Sequence, residues 1–135
     1  FELLTTIKNR GYRLVLITNQ SGIGRGYFTY SDFLELTFYM IEELDKLGLN
    51  IEINYCRHHP NSNCKCRKPN PSMILRYNIS PNDIFIGDKD TDMMAAKAAG
   101  INNRWIISDT PEGPFTKAFY NHYELINFVT ENKSI

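Results

Sequence analysis

The chain has 135 residues, a length that fits one domain, and it is 42% hydrophobic and 13% aromatic, enough for a core. Fifteen Lys and Arg balance fifteen Asp and Glu, so there is no basic field to argue for bulk nucleic-acid binding. No apolar run is long enough to read as a membrane-spanning helix.

The elements follow in chain order. FELLTTIKNRG reads as the end of a helix. Leu3, Leu4 and Ile7 share a face, Lys8 and Arg10 suit the C-terminus, and Gly11 suits the position just past it. The chain opens without Met and inside this helix, so a targeting signal upstream would not be visible. Arg13 to Ile17 is a short apolar run that reads as a strand buried on both faces. TNQSGIGRGYF follows as a Gly-rich loop. Thr29 with Asp32 three residues on predicts a capped helix start, and Phe33, Leu36, Met40, Ile41, Leu44 and Leu47 recur at helical spacing up to Gly48. IEINYC alternates and reads as a strand. Pro71 predicts a helix through about Tyr77. DIFIGD is strand then loop, DTDMMAAKAAG a helix closed by Gly100, NRWII a strand, AFYN a last strand and HYELINFVTEN a last helix. Strands alternating with helices predict a three-layer α/β domain with a parallel sheet.

Tyr55 to Pro71, YCRHHPNSNCKCRKPNP, holds every cysteine of the chain and two of its three histidines. Cys56 and His58 are two apart, as are Cys64 and Cys66, and a five-residue loop folds the second pair back on the first. Three thiolates and one imidazole make a closed tetrahedral set with no open position, which suits structural zinc. A disulfide would leave one cysteine over, and a C-x-C bridge is strained. Three unlinked buried thiols fit poorly with a loop carrying Asn61, Ser62, Asn63 and Lys65. His59 points away from the pair in extended backbone, and His122 has no partner nearby and reads as surface.

Three stretches carry phosphate-type chemistry. Arg67 and Lys68 follow the last candidate ligand, offering a planar fork and a point charge. Thr18, Asn19, Gln20 and Ser21 lie at the carboxyl end of a buried strand, where open α/β sheets bind ligands. Asp88 ends another buried strand, with Lys89 next and Asp92 four residues on, and oxygen ligands at such a place suit Mg²⁺. Each has an ordinary alternative: a solvated basic pair, a Gly-rich turn, a helix cap.

In this order, LITNQSG, CRKP and IGDKDTD resemble the haloacid dehalogenase-like (HAD) phosphotransferases. TNQSGIGRGYFT, the Cys-x-His…Cys-x-Cys loop, CRKPNPSMI and GDKDTDMMAAKAAGI are similar to the heptose-bisphosphate and histidinol phosphatase branch. The resemblance implies a Mg²⁺-dependent phosphomonoesterase of Rossmann-like HAD fold with a structural zinc loop. Thr18 and Asn19 would hold phosphoryl oxygens and Lys68 would balance charge. Gln20, Ser21, Arg67 and Lys89 would contact substrate. Asp88 would hold Mg²⁺, with Asp92 a ligand or a partner behind it, and Cys56, His58, Cys64 and Cys66 would hold zinc.

The first family motif, a strand ending Asp-x-Asp, has no match before Arg13. The expectation is therefore a single domain over 1–135, truncated at its N-terminus, lacking the central strand and the nucleophile, and inactive alone. The substrate expected is a small phosphorylated metabolite, heptose 1,7-bisphosphate from CRKPNPSMI. Histidinol phosphate follows instead from the short His58–Cys64 span, and a zinc-stabilised pseudoenzyme is the non-catalytic alternative. A cytoplasmic monomer, acting on neither nucleic acid nor membrane, completes the expectation.

Overall fold

The computed structural model describes residues 2–132. Helix α1 (Glu2–Lys8) ends before Gly11, whose φ of +90° is the left-handed turn a side chain would resist. Strand β1 (Leu14–Asn19) then leads into the short helix α2 (Ser21–Gly24) and the long helix α3 (Tyr30–Lys46). The start of α3 is fixed as its sequence predicts: the Asp32 N–H donates to Thr29 Oγ1 at 3.0 Å and the Thr29 N–H to Asp32 Oδ2 at 3.2 Å. Strand β2 (Ile51–Cys56) pairs in parallel with β1, Leu14 against Ile51 and Asn19 against Cys56.

The second half holds β3 (Ile84–Gly87), α4 (Asp90–Ala98), β4 (Asn103–Ile107), β5 (Lys117–Phe119) and α5 (His122–Glu131). Strands β3, β4 and β5 pair in that order, all parallel. The last strand thus begins one residue before the predicted AFYN and ends at Phe119.

One apolar cluster joins the halves. Ile7, Leu14, Leu44 and Leu49 pack with Trp105, Phe119, Leu125 and Val129. Trp105 lies edge-on to Phe119 and Phe128, with ring centres 5.7 and 5.5 Å away. Arg10 adds a polar tie, donating from Nη1 to the Asn132 carbonyl at 2.7 Å and from Nη2 to that of Val129 at 2.9 Å, at the C-terminus of α5.

Among the described residues no ladder joins β1 to β3. An apolar cavity of about 500 Å³ lies between them, lined by Leu14, Val15, Leu16 and Ile17 on one side and Ile84, Phe85 and Ile86 on the other. Consecutive strand residues point to opposite faces, so lining by consecutive residues means that the strand edges face the cavity.

The helix predicted from Pro71 to about Tyr77 is a correction: that segment is a run of turns. The Ile74 and Leu75 N–H groups both donate to the Pro71 carbonyl at 3.0 Å and the Tyr77 N–H to the Ile74 carbonyl at 3.1 Å, giving successive turns and no continuous helix. The Met73 carbonyl is taken by Asn54 Nδ2 of β2 at 3.0 Å, and a segment this short has little helical stability of its own. No helix among the described residues is long and apolar enough to cross a membrane.

Candidate active site

Strand β2 delivers Cys56, fully buried, to the carboxyl end of its sheet. The chain then turns, and Cys64 and Cys66 come back to it. Cys56 Sγ lies 3.5 Å from Cys64 Sγ and 3.0 Å from Cys66 Sγ. His58 Nδ1 lies 3.5 Å from Cys56 Sγ and 3.1 Å from Cys66 Sγ. All four ligand atoms fall within 4.8 Å of one another, and the three cysteines are unbridged. This donor set fits zinc, which takes three thiolates and one imidazole at the corners of a tetrahedron. His59 turns elsewhere, accepting the Asn61 N–H on its Nδ1 at 3.0 Å.

Burial, and then the neighbouring thiol of Cys66, push the Cys56 thiol up to about 12. Burial also raises Cys64, but the Arg67 backbone N–H and neighbouring side chains outweigh it and bring that thiol down to about 6.

A polar cleft of about 540 Å³ opens where the carboxyl ends of β1 and β3 meet the residues after Cys66. Thr18, Asn19 and Ser21 line it from the first sheet, Arg67 and Lys68 from the metal loop, and Asp88 and Lys89 from the second. Lys68 is the hinge of this arrangement. Its Nζ donates to the Ile17 carbonyl at 3.2 Å and pairs with Asp92 Oδ1 at 2.5 Å, with 11% and 7% of the two side chains exposed. The other oxygen of Asp92 accepts the N–H groups of Asp88 and Lys89 at 3.1 and 3.2 Å. Gly87 makes room for this: a Cβ there would lie 2.5 Å from Asp92 Cβ.

The Asn19 carboxamide grips the main chain of Lys68, its Oδ1 accepting the Lys68 N–H at 3.1 Å and its Nδ2 donating to the Lys68 carbonyl at 3.5 Å. Gln20 stands behind the cleft wall and donates from Nε2 to Thr18 Oγ1 at 3.1 Å. Arg67 Nη1 is buried and has no hydrogen-bond partner among the described residues. A buried donor of this kind is costly unless a ligand satisfies it.

Proteins of known activity are similar to this chain. A 7-phosphatase of D-glycero-β-D-manno-heptose 1,7-bisphosphate from Helicobacter pylori is 49% identical over 118 residues, covering 82% of this chain and 68% of that protein. A Campylobacter jejuni 7-phosphatase of the α anomer is 39% identical, covering 97% of this chain and 79% of its own. The chain belongs to the heptose-1,7-bisphosphate 7-phosphatase family. No family model matches it. Among solved structures, the D,D-heptose 1,7-bisphosphate phosphatase of B. bronchiseptica, complexed with magnesium and phosphate, superposes with a TM-score of 0.79 at 26% identity, covering 96% of this chain and 80% of that one. A HAD-like phosphatase from Mesorhizobium loti superposes with a TM-score of 0.75 at 28% identity.

For this heptose-bisphosphate phosphatase relative, the structure brings together every residue singled out in the sequence except Gln20, which reaches the cleft only through Thr18. The sequence did not disclose Pro69, Asp90 and Thr91, which also line the cleft. Their signal was proximity to Lys68 and Asp88 alone. Nor did it disclose that Asn19 and Asp92 spend their hydrogen bonds on Lys68 and on backbone, a pairing across 49 residues in the first case.

Proposed function

We propose that this chain is the phosphate-holding part of a Mg²⁺-dependent phosphomonoesterase that removes the 7-phosphate of heptose 1,7-bisphosphate. The observation that carries this reading is the buried Arg67 Nη1, without a partner among the described residues, beside Lys68 in a cleft at the carboxyl ends of two strands, in a chain 49% identical to such an enzyme.

Each residue then has a physical task. The Thr18 hydroxyl, with Ser21 across the cleft wall, donates to phosphoryl oxygens. Arg67 supplies a planar fork to the same group, relieving its own unpaired nitrogen. Lys68, pinned by Asp92 and the Ile17 carbonyl, places a fixed positive charge where negative charge gathers. Asn19 sets the height of Lys68 by holding its backbone.

Asp88 is the residue that would hold Mg²⁺. It is exposed at the strand end, whereas both oxygens of Asp92 are engaged. One or two carboxylates, with waters and substrate phosphate, are the usual Mg²⁺ set, so the donors present fit. Mg²⁺ held there would offset the negative charge of the substrate phosphate. The cysteine cluster would hold zinc, aiming Arg67 and Lys68 through Cys66. Three reduced thiolates suit the cytoplasm.

Phosphate release from heptose 1,7-bisphosphate and from histidinol phosphate, with and without Mg²⁺, tests the reading on the gene product that carries this sequence. Mg²⁺-dependent release from the heptose substrate, abolished by Lys68→Met, is the expected result. Preference for histidinol phosphate would overturn the substrate, and zinc binding without turnover would overturn the activity.

A further inference from the structure

The turn bearing Ser21 is tied to the cysteine loop at both of its ends. Before it, the Gln20 N–H donates to the Cys56 carbonyl at 2.6 Å. After it, Gly24 lies directly against the backbone of the cysteine loop: a Cβ on Gly24 would sit 2.3 Å from His59 N, 2.7 Å from His58 C and 2.9 Å from His59 Cα. Gly24 lies in helix α2, outside the left-handed region, so conformation does not demand glycine there; the close approach does. All three atoms are main chain, which cannot swing aside as a side chain can. Gly22 differs in this respect, since its missing Cβ would meet only the Phe28 ring.

Ser21 is therefore strung between the carbonyl of one candidate zinc ligand and the peptide following another. We infer that Gly24 is a positioning residue, coupling zinc occupancy of the cysteine loop to the Ser21 wall of the phosphate cleft. Zinc then shapes the cleft from two sides. One route is covalent, from Cys66 into Arg67 and Lys68. The other is this packing contact, which reaches a segment containing no metal ligand. The route to phosphate rests on the function proposed above; the coupling of loop to turn does not.

Amide hydrogen exchange on the chain, without phosphate and with or without Zn²⁺, reads the second route directly. The Ile23 N–H bonds to the Gln20 carbonyl and the Arg25 N–H to that of Ser21, so both amides report whether the turn is closed. Zinc loading is expected to slow their exchange about tenfold, a typical size for coupling between sites. Unchanged exchange at Ile23 and Arg25, while Cys64 and Cys66 become protected, would overturn the inference. Gly24→Ala should keep zinc, measured by chelator competition, yet lose the protection at Ile23 and Arg25. It should also show a smaller loss of inorganic-phosphate affinity on chelation than the parent. Gly24→Ala behaving as the parent in both would overturn the coupling, and if that variant does not fold, exchange on the parent decides. Zinc-dependent protection without any phosphate affinity would support the coupling and overturn the phosphate reading instead.

Discussion

Lys68 and Asp92 form an ion pair with 11% and 7% of their side chains exposed, far from the solvated pairs that contribute little. Such a pair gains little over an apolar substitute, but losing one partner strands a charge. Lys68→Met should therefore lower stability by about 3–5 kcal/mol. Adding Asp92→Asn should restore part of that loss, because the stranded charge goes with it. Chemical denaturation of both singles and the double gives the coupling, and additive losses would contradict it. The thiols make a second prediction. A Cys56 thiol at about 12 keeps its proton at neutral pH and must give it up to a metal, whereas Cys64 at about 6 has largely lost its own. Protons thus compete with zinc at Cys56 throughout the neutral range, and at Cys64 only near pH 6 and below. Zinc affinity should fall about tenfold or more per unit as pH drops from 8 to 7, and more steeply below pH 6. Competition against a chelator of known proton affinity measures this, and a flat profile would exclude Cys56 as a ligand. At this scale the sequence was legible where spacing alone decides. The two-residue gaps select His58 over His59. The task of Asn19 was not legible, because its partner lies 49 residues on and only the fold brings it near.

At the scale of elements, the junction of β3 and α4 depends on Gly87. A Cβ at that position would lie 2.6 Å from Asp92 Oδ2, the atom that accepts the Asp88 and Lys89 N–H groups. Gly87→Ala forces the carboxylate away, uncapping α4 and loosening Lys68 together. The expected result is a loss of about 1–3 kcal/mol in stability. Phosphate affinity should fall with it, whereas a distant core change of equal cost should leave affinity intact. Calorimetric phosphate titration of two such variants separates these cases. Elements were legible where a terminus carries its own chemistry. Thr29 with Asp32 opens α3 and Gly100, with φ +89°, closes α4, both as written in the sequence. Pro71 sent a false helix signal. Proline favours a first turn, but whether the turns run on as an α-helix depends on the carbonyl of Met73, and Asn54 on a neighbouring strand captures it.

At the scale of the molecule, two sheets share one core. The strand order leaves β1 and β3 unpaired with each other among the described residues, and the contact is made instead by Leu14, Leu44 and Leu49 against Trp105, Leu125 and Val129. That α1 and Arg10 close over α5 was not legible in the sequence, because no local pattern encodes it. Beyond Cys56, which is fully buried at the end of β2, the cysteine loop stands apart from this core, and neither apolar cluster contains any of its residues. Zinc binding to such a loop releases about 10 kcal/mol in zinc-finger peptides, comparable with the whole stability of a domain. If loop and core were one cooperative unit, chelation would unfold the protein. The packing argues for a local event, since an opened loop caps how much of the metal's free energy the core can feel. Trp105, 4% exposed and the single tryptophan of the chain, reports on the core alone. Chelation should release the loop, seen as new reactivity of three thiols, while Trp105 emission stays blue and the melting temperature falls by only a few degrees. A red shift of Trp105 at the same chelator concentration that frees the thiols would show instead that the metal holds the whole fold, and that loop and core melt as one.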